Sequence, residues 1–328
     1  MKAGKLSSRQ LENSVLGKIK TKREDVLLRP SVGEDCSAIE FGDYACILTT
    51  DPITGAASEV GKLGVHISCN DIASSGTAPI AILLTILAPV GTTIEEIEQV
   101  MEQASAEADK LNVEIIGGHT EITSAVNRII VSTTAIGKMK KEDMIKTSGA
   151  KVGDIIVITK SAGIEGTGII VYDKEDELLG VLNKDEIKTA KSLLDSISVV
   201  KEGVISGEVG VSALHDVTEG GLLGAIWEVC DASSLGATIT YEEILIEDIT
   251  RKICDHYKID PLKLISSGSM VIACPIEKLE KLKRRLYEED IKYSIIGEFI
   301  EEKNVFLTRD GISERIESPE KDDLFKVV

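Results

Sequence analysis

The chain has 328 residues, of which 43% are hydrophobic and 28% charged, as in a soluble globular protein with room for about two domains. Its 37 basic and 55 acidic residues give a formal net charge of −18, and aromatic residues make up only 3%. Nucleic acid and anionic membranes attract clustered Lys and Arg, and bases stack on aromatic rings, so the composition argues against both partners.

The first residues and the cysteines predict a cytoplasmic protein. The start of the chain lacks the apolar segment of a secretory signal, and the longest apolar stretch, residues 79–90, is too short to span a bilayer. The six cysteines show no C-x-x-C spacing and lie mostly in apolar segments, which favours reduced core thiols over metal ligands or disulfides.

Hydrophobic periodicity predicts a first half that mixes helices with short strands. The predicted elements are a helix over 6–20, a hairpin with strands 37–40 and 45–50, a helix over 59–75, a buried strand over 81–87, a helix over 94–111, and strands over 113–116 and 128–136. A charged, turn-rich segment follows at 138–153. It predicts a domain boundary near residue 148, and therefore domains over 1–148 and 149–328.

The second half repeats the mixture without a strict strand–helix–strand rhythm. Its predicted strands are 154–159, 211–214, 236–241, 270–274 and 293–299, and its predicted helices lie at about 185–208, 219–230, 246–257 and 276–287. Such an arrangement favours an α+β fold over a doubly wound parallel sheet.

Four acidic residues in the first half stand singly among apolar or glycine residues. They are Asp35, Asp51, Asp71 and Glu121. If they converge, each pair repels by roughly 4 kcal/mol at 4 Å and an effective dielectric constant of 20, so a cation is implied. Oxygen ligands favour Mg²⁺, and Mg²⁺ held by a few carboxylates usually carries substrate phosphates as well.

Asn70 and Asp71 interrupt the apolar pattern of the predicted helix over 59–75. Asp suits a helix interior poorly because its side chain competes for backbone hydrogen bonds. The pair is either a local distortion of the helix or functional, and the break in an apolar face favours function. Asp51, at the carboxyl end of a strand, is either a site residue or the start of an Asx turn before Pro52.

Two glycine pairs stand beside predicted strands or helices. Gly117 and Gly118 follow a strand and precede His119-Thr120-Glu121, so this segment is either a ligand-binding turn or an ordinary tight turn. Gly220 and Gly221 precede a helix that Asp216 or Thr218 could cap, and its amino terminus could also bind an anion.

Taken in order, these segments resemble the aminoimidazole ribonucleotide (AIR) synthetase-related, or PurM-like, superfamily. It includes the hydrogenase maturation protein HypE, thiamine-monophosphate kinase and selenophosphate synthetase, and the HypE type is the most similar. The resemblance covers nearly the whole chain and rests on Gly33-Glu34-Asp35, Thr49-Thr50-Asp51, Asn70-Asp71, Gly117-Gly118-His119-Thr120, the run from His215 to Gly221, and Ser266-Ser267-Gly268.

The resemblance implies an N-terminal α/β domain that forms a barrel with the same domain of a second copy. It also implies a C-terminal α+β domain and an ATP site between the two. Asp35, Asp51 and Asp71 would carry Mg²⁺. Because His119 stands where several relatives have an acidic residue, Glu121 becomes the candidate for a further metal ligand. The residues implied at the nucleotide are Asn70, Gly117, Gly118, His119, Thr120, Asp216, Gly220 and Gly221.

The function that the resemblance implies is ATP-dependent activation of an amide or carboxamide oxygen, on a small molecule or a protein, with a maturation protein as a possible partner. HypE dehydrates a thiocarboxamide on its own C-terminal cysteine. The last cysteine here is Cys274, in a predicted strand, so we do not expect that reaction in its self-modifying form. The alternatives are a small-molecule kinase of the thiamine-monophosphate type and a nucleotide-binding assembly protein without turnover. The sequence indicates no catalytic residue.

Overall fold

The first part of the chain forms a six-stranded sheet with two helices packed on one face. The computed structural model describes residue 6 and residues 8–54, 59–318 and 321–328. The elements are α1 Ser8–Ser14, β1 Val26–Leu28, β2 Ser37–Phe41, β3 Tyr44–Ile53, α2 Val60–Ser74, β4 Pro79–Pro89, α3 Ile94–Leu111, β5 Glu114–Thr123 and β6 Ile130–Lys140.

The remaining part forms a seven-stranded sheet with helices around it. The elements are β7 Ile155–Thr159, α4 Ile164–Asp173, α5 Glu175–Leu178, α6 Lys184–Ser192, α7 Val200–Val209, β8 Ala213–Asp216, α8 Gly221–Ser233, β9 Gly236–Thr240, α9 Asp248–Tyr257, β10 Met270–Cys274, α10 Ile276–Glu288, β11 Tyr293–Ile300, β12 Val305–Arg309 and β13 Ile312–Ile316. Short 3-10 turns connect several of them, among them Thr147–Gly149, Tyr241–Glu243, Pro261–Lys263 and Asp323–Lys326.

The first sheet has the strand order β1-β2-β3-β6-β4-β5. All neighbours are antiparallel except β4 and β5, which are parallel and joined through α3. Along β6 every second residue from Val131 to Gly137 is buried, because α2 covers one face of the sheet while the other face is more exposed. The hairpin of β2 and β3 and both helices were predicted correctly from the sequence.

The second sheet has the order β13-β12-β9-β11-β7-β10-β8. It is antiparallel except between β9 and β12, so the predicted α+β character is confirmed. The strands β12 and β13 were not predicted from the sequence. Their hairpin forms the outer edge, where Ser313, Glu314 and Arg315 are exposed and give no hydrophobic signal. The predicted boundary near residue 148 lies between β6 and β7 and stays a prediction.

The predicted leading helix is shorter than expected. It ends at Ser14 and is followed by a 3-10 turn at Leu16–Lys18 that buries no residue, while Ser7 lies outside the described residues. Without an apolar surface to cover, periodicity alone does not sustain a helix. None of the described helices is long and apolar enough to cross a bilayer. All six cysteines are free thiols, as predicted.

The two sheets are joined by a continuous apolar core rather than by a thin contact. One cluster of buried side chains runs from Ile47 and Ile72 in the first half to Leu214 and Ile272 in the second. A large apolar interface of this kind holds two domains in one fixed arrangement. The carboxyl end of α2 and the helix α7 form the closest part of this junction.

Two glycines on α7 allow this close approach. A β carbon at Gly203 would lie 2.2 Å from the carbonyl oxygen of Ala73, and one at Gly207 would lie 2.0 Å from that of Gly76. Neither backbone can move away without separating the two halves of the shared core. The glycines therefore set the distance between α2 and α7.

We predict that Gly203→Ala lowers the free energy of unfolding by about 1–3 kcal/mol, because the added methyl group must push α7 away from α2. Alanine is the better helix former by about 1 kcal/mol, so an uncrowded site would change in the opposite direction. Urea denaturation measures the effect. Gly180→Ala, in the turn after α5, is the uncrowded control, since nothing lies within 4 Å of its added β carbon. Equal unfolding midpoints for the two variants would refute the predicted role of the close contact.

Candidate functional site

Two of the single acidic residues meet where β3 lies beside α2. Thr49 Oγ1 is 2.6 Å from Asp71 Oδ2 and 3.3 Å from Asp51 Oδ2, so its hydroxyl proton can be donated to either carboxylate. Thr49 and Asp51 are two residues apart and share the face of β3 that packs on α2. Because side chains alternate along the strand, Thr49 and Asp51 both face α2, and Thr49 connects the carboxylate of Asp51 to that of Asp71.

The second half of the chain adds Asp216, which is the last residue of β8 and is fully buried. Its Oδ1 accepts a hydrogen bond from Ser74 Oγ at 3.4 Å, and the backbone N–H of Asp216 donates to Ser74 Oγ at 3.2 Å. Ser74 lies about one turn after Asp71 on α2. The helix α2 therefore connects the carboxylates of both halves.

Asp35 approaches the same place through a histidine. His215 Nδ1 is 2.7 Å from Asp35 Oδ2, and His215 Nε2 is 2.8 Å from Glu228 Oε2 on α8. Ligand atoms of Asp35, His215 and Asp216 lie within 4.8 Å of one another, close enough to hold one metal ion. Because both nitrogens of His215 already face carboxylates, we assign it to positioning Asp35 rather than to metal binding.

The electrostatics show how strongly negative this region is. Burial raises the pKa of Asp71 well above its usual value, and Asp216 and Asp51 raise it further. Burial and then Asp35 raise the pKa of the neighbouring Glu34 to about 8. Such shifts arise when carboxylates share a poorly hydrated space, where a like charge disfavours ionisation.

Burial by itself would lower the pKa of His215, but the Asp35 and Glu228 carboxylates outweigh it and raise the pKa well above its usual value. The imidazolium balances part of the negative charge. Four carboxylates remain around the site, those of Asp35, Asp51, Asp71 and Asp216. Oxygen ligands of this kind fit a hard divalent cation such as Mg²⁺, which is commonly bound by one or two carboxylates together with phosphate oxygens.

Asn70 points away from these carboxylates towards the second half of the chain. Its Nδ2 donates to the carbonyl oxygen of Ile197 at 2.7 Å, and its Oδ1 accepts from the N–H of Val199 at 2.8 Å. Both ends of the amide are used, which explains the polar break in an apolar helix. In this structure Asn70 fastens α2 to the loop before α7.

The sequence suggested that the segment Gly117–Glu121 is a turn at the end of a strand, and the structure corrects this expectation. It lies inside β5, which continues to Thr123 because parallel pairing with β4 supplies its backbone hydrogen bonds. Register through β6 and β4 places Gly118 three strands from Asp51, about 14 Å across the sheet. The side chains of His119 and Glu121 are exposed and 3.4 Å apart, and Thr120 lies between them.

Gly220 and Gly221 begin α8, but neither Asp216 nor Thr218 caps it, which corrects the expectation from the sequence. Gly220 is the N-cap residue and takes no cap from a nearby side chain. Its N–H donates instead to Asp322 Oδ2 at 2.7 Å, from 102 residues further along the chain. The protein's own carboxylate therefore holds the start of this helix, where an anion was predicted to bind.

Three polar residues of the site were missed in the sequence. Glu228 interrupts an apolar run in α8, a signal similar to the one that identified Asp71, although Asp231 follows three residues later. Ser74 is small enough to pass as helix packing. Asp322 lies in a charged segment with no local signal, because its partner is remote in sequence.

We predict that Asp322→Asn changes how stability depends on pH. Burial raises the pKa of Asp322 to about 6, against hydrogen bonds from the N–H groups of Leu324 and Gly220. The folded protein therefore holds this proton more tightly than the unfolded chain, in which the pKa has its ordinary value of 3.8. The associated stability is complete below the unfolded pKa and is lost as the pH rises through about 6.

The loss amounts to about 3 kcal/mol at most, and asparagine, which does not titrate, removes it. In urea unfolding between pH 4 and pH 7, the free energy of unfolding of the variant should rise relative to that of the unmodified protein as the pH rises. Asp109→Asn, at an exposed position on α3, is the control and should follow the unmodified protein. The prediction would be contradicted if the free energies of unfolding of Asp322→Asn and the unmodified protein differed by a constant amount across this pH range.

Known structures share this fold and its arrangement of strands. The hydrogenase maturation protein HypE in complex with ATP has a TM-score of 0.70 at 20% identity, over 98% of this chain and 97% of that chain. A HypE–HypF complex gives 0.71 at 23%, covering 86% and 93%. Thiamine monophosphate kinase from Aquifex aeolicus gives 0.71 at 17%, covering 95% and 98%. These likenesses confirm the predicted two-domain PurM-like fold.

Curated relatives are named for hydrogenase maturation. A putative hydrogenase expression/formation protein of Methanocaldococcus jannaschii is 29% identical over 267 residues, which are 79% of this chain and 76% of that protein. Carbamoyl dehydratase HypE of Rhizobium leguminosarum bv. viciae is 23% identical over 284 residues, 84% and 79% of the two proteins.

Two family models match most of the chain. The N-terminal domain of AIR synthase related proteins matches residues 33–139, and their C-terminal domain matches residues 151–310. The matches contain Asp35, Asp51 and Asp71 in the first domain and His215 and Asp216 in the second. The chain therefore belongs to the AIR synthase related protein family.

Proposed function

We propose that this protein binds ATP with Mg²⁺ at the carboxylates of Asp35, Asp51, Asp71 and Asp216 and uses ATP to activate a carboxamide oxygen. The observation that carries the proposal is the convergence of these side chains from both domains around a poorly hydrated space, where the pKa of Asp71 is raised well above its usual value. Mutual repulsion makes such a set unfavourable alone and favourable around a cation that carries phosphates.

The proposed reaction is a dehydration driven by phosphoryl transfer. The carboxamide oxygen attacks the γ-phosphorus of ATP, so a C–O–P linkage forms and ADP leaves. The C–O bond then breaks to release phosphate while nitrogen gives up its protons, which converts the carboxamide into a nitrile. Carboxamide and ATP together yield nitrile, ADP, phosphate and one proton.

The residues of this chain contribute positioning and charge. Thr49 holds Asp71 by a hydrogen bond and lies within reach of Asp51, Ser74 holds Asp216, and the His215 imidazolium holds Asp35. Mg²⁺ bound by these carboxylates would neutralise charge that develops on the transferred phosphoryl group. We propose that Asn70 and Gly220 maintain the two walls of the site through their contacts with Ile197, Val199 and Asp322.

The relatives support this reaction in preference to others. Several are named carbamoyl dehydratase, and a structural neighbour is described in complex with ATP. Another neighbour is described as a complex with HypF, so we propose a maturation partner for this protein as well, with the carboxamide carried by a protein or by a small molecule. The predicted ATP-dependent chemistry agrees with these names.

Product analysis separates this proposal from its two alternatives. With ATP, Mg²⁺ and a carboxamide substrate, dehydration releases ADP and free phosphate together with a nitrile. A kinase, suggested by the likeness to thiamine monophosphate kinase, instead gives ADP and a phosphorylated product. Nucleotide binding with no turnover across carboxamide and alcohol substrates would identify an assembly protein and contradict both enzymatic proposals.

We predict that Asp51→Asn and Asp71→Asn each weaken Mg²⁺-dependent ATP binding by at least about tenfold, equivalent to about 1.4 kcal/mol. Asparagine keeps the shape and the contact with Thr49 but removes the charge that attracts the cation. Calorimetric titration of ATP with Mg²⁺ measures the change.

Two controls make this experiment specific. Titration of ATP in EDTA should show no loss in either variant, because without the cation the carboxylates only repel the phosphates. Asp43→Asn, in the exposed turn between β2 and β3, removes the same charge elsewhere and should bind Mg²⁺–ATP like the unmodified protein. Unchanged affinity in both site variants would rule out the metal assignment.

We propose that the protein is a homodimer paired along β5. This strand lies at the edge of the first sheet, and its residues are exposed or half-buried along its whole length. Ile116 and Ile122 are 51% and 47% exposed. A long open edge with apolar side chains invites another strand. Pairing there would bring Gly117–Glu121 of one protomer to the interface rather than to its own carboxylates, which would give these residues a role at the partner's nucleotide.

We predict a particle of about twice the 35.3 kDa chain mass by light scattering at micromolar concentration. Ile122→Lys should reduce the mass to that of one chain, because a charge would be buried in the interface. Ile312→Lys, at a 73% exposed position on β13, should leave the dimer intact. A single-chain mass for the unmodified protein would disprove the dimer without affecting the metal site.

A further inference from the structure

A cavity of about 960 Å³ lies in the second domain, away from the carboxylate cluster. It is open to solvent and lined by α9, the 3-10 turns Tyr241–Glu243 and Pro261–Lys263, the hairpin of β12 and β13, and the segment Asp323–Lys326. None of the carboxylates assigned above lines it. Its strands form the edge of the sheet opposite β8, the strand that carries Asp216. The volume is that of a small-molecule site.

The charge of the cavity is opposite to that of the protein. Seven basic and five acidic side chains line it, whereas the whole chain has a formal charge of −18. The basic residues are Arg251, Lys258, Lys263, Arg309, Arg315, Lys321 and Lys326. A locally positive cavity in an acidic protein attracts anions against the overall field.

Two guanidinium groups are fixed around one ring in this cavity. The guanidinium carbon of Arg309 lies 3.7 Å from the centroid of the Tyr241 ring, and that of Arg251 lies 5.8 Å away. Arg251 also donates from Nη1 to the Tyr241 hydroxyl at 3.0 Å. The aromatic ring therefore holds both side chains in place, which reduces the entropy lost when they bind a ligand.

The acidic residues of the cavity leave much of this positive charge unbalanced. Asp323 pairs with Lys326 and accepts from the N–H of Asp260, and Glu317 pairs with Arg315. Within the described ranges, no carboxylate lies within 4 Å of a charged nitrogen of Arg251, Lys258, Lys263, Arg309 or Lys321. Apart from Arg251 Nη1, which donates to the Tyr241 hydroxyl, their hydrogen-bond donors remain available to a ligand.

We propose that this cavity is a second binding site, separate from the ATP site, for a small molecule that carries a phosphate group. Guanidinium groups bind phosphate oxygens through two parallel N–H donors, and two of them held around one ring can approach a phosphate from two directions. Lys258 and Lys263 add point charges from the loop after α9. The polar lining excludes an apolar ligand of the same size.

Calorimetric titration of the whole protein in EDTA tests the proposal with two probes, inorganic pyrophosphate and AMP. Removing divalent cations leaves the carboxylate site repulsive to phosphates, so saturable binding reports the cavity. Arg251→Gln and Arg309→Gln should each weaken binding of the probe by about tenfold, the effect of losing a charged hydrogen bond. Tyr241→Phe keeps the ring but frees Arg251 and should weaken binding as well.

Two controls separate the cavity from other sources of binding. Arg284→Gln, at an exposed position on α10, removes a positive charge outside the cavity and should not alter the affinity for the probe. Asp51→Asn should also leave binding in EDTA unchanged, so the result does not depend on the proposed function. Binding of either probe with these responses supports the site. Absence of saturable binding for both probes, or equal affinity in the cavity variants and the unmodified protein, would overturn it.

Discussion

Asp71 and Asp216 come from different domains and are buried in the same poorly hydrated space. Two like charges in such a space repel by several kcal/mol, which the rest of the fold must offset. Part of the compensation is local, through hydroxyl donors from Thr49 and Ser74 and an imidazolium at His215. The ion pairs His215–Asp35 and Lys62–Asp195 also attract the two domains to each other, and packing supplies the remainder.

The apolar junction supplies that packing. A core shared by both sheets, glycines that let α7 touch α2, and the amide of Asn70 all act on the same helix that carries Asp71. The helix is therefore both the wall between the domains and the support of the charged site. Its apolar contacts keep the carboxylates closer together than electrostatics alone would allow, so the site is prepared for a cation before one binds.

Several elements of the fold and several residues of the candidate site could be predicted from the sequence alone. The helix over 94–111 was predicted with its observed bounds because the segment is acidic, amphipathic and rich in Glu and Ala. The structure adds a capping box of Thr93 and Glu96 at its start. Isolated acids in apolar surroundings identified Asp51 and Asp71 before any distance was known. Their convergence with Asp216 followed from the order of motifs in a family, and not from spacing.

Other features depend on contacts that a sequence does not display. β5 continues through a glycine pair because β4 lies beside it, and a turn was the reasonable expectation without that neighbour. The cap of α8 comes from Asp322, remote in sequence, whereas capping rules look only a few residues away. Glu228 gave a local signal similar to that of Asp71 and could have been recognised.

The contact between Gly220 and Asp322 also bears on how the chain acquires its structure during synthesis. The two residues are 102 positions apart, so the N–H of Gly220, the N-cap residue of α8, has no carboxylate partner until residue 322 has been synthesised. Contacts this distant in sequence form slowly, because a long loop must close before they contribute. The hairpin of β2 and β3 can form much earlier. The start of α8, which follows Asp216 in the chain, is thus completed only after this distant contact forms.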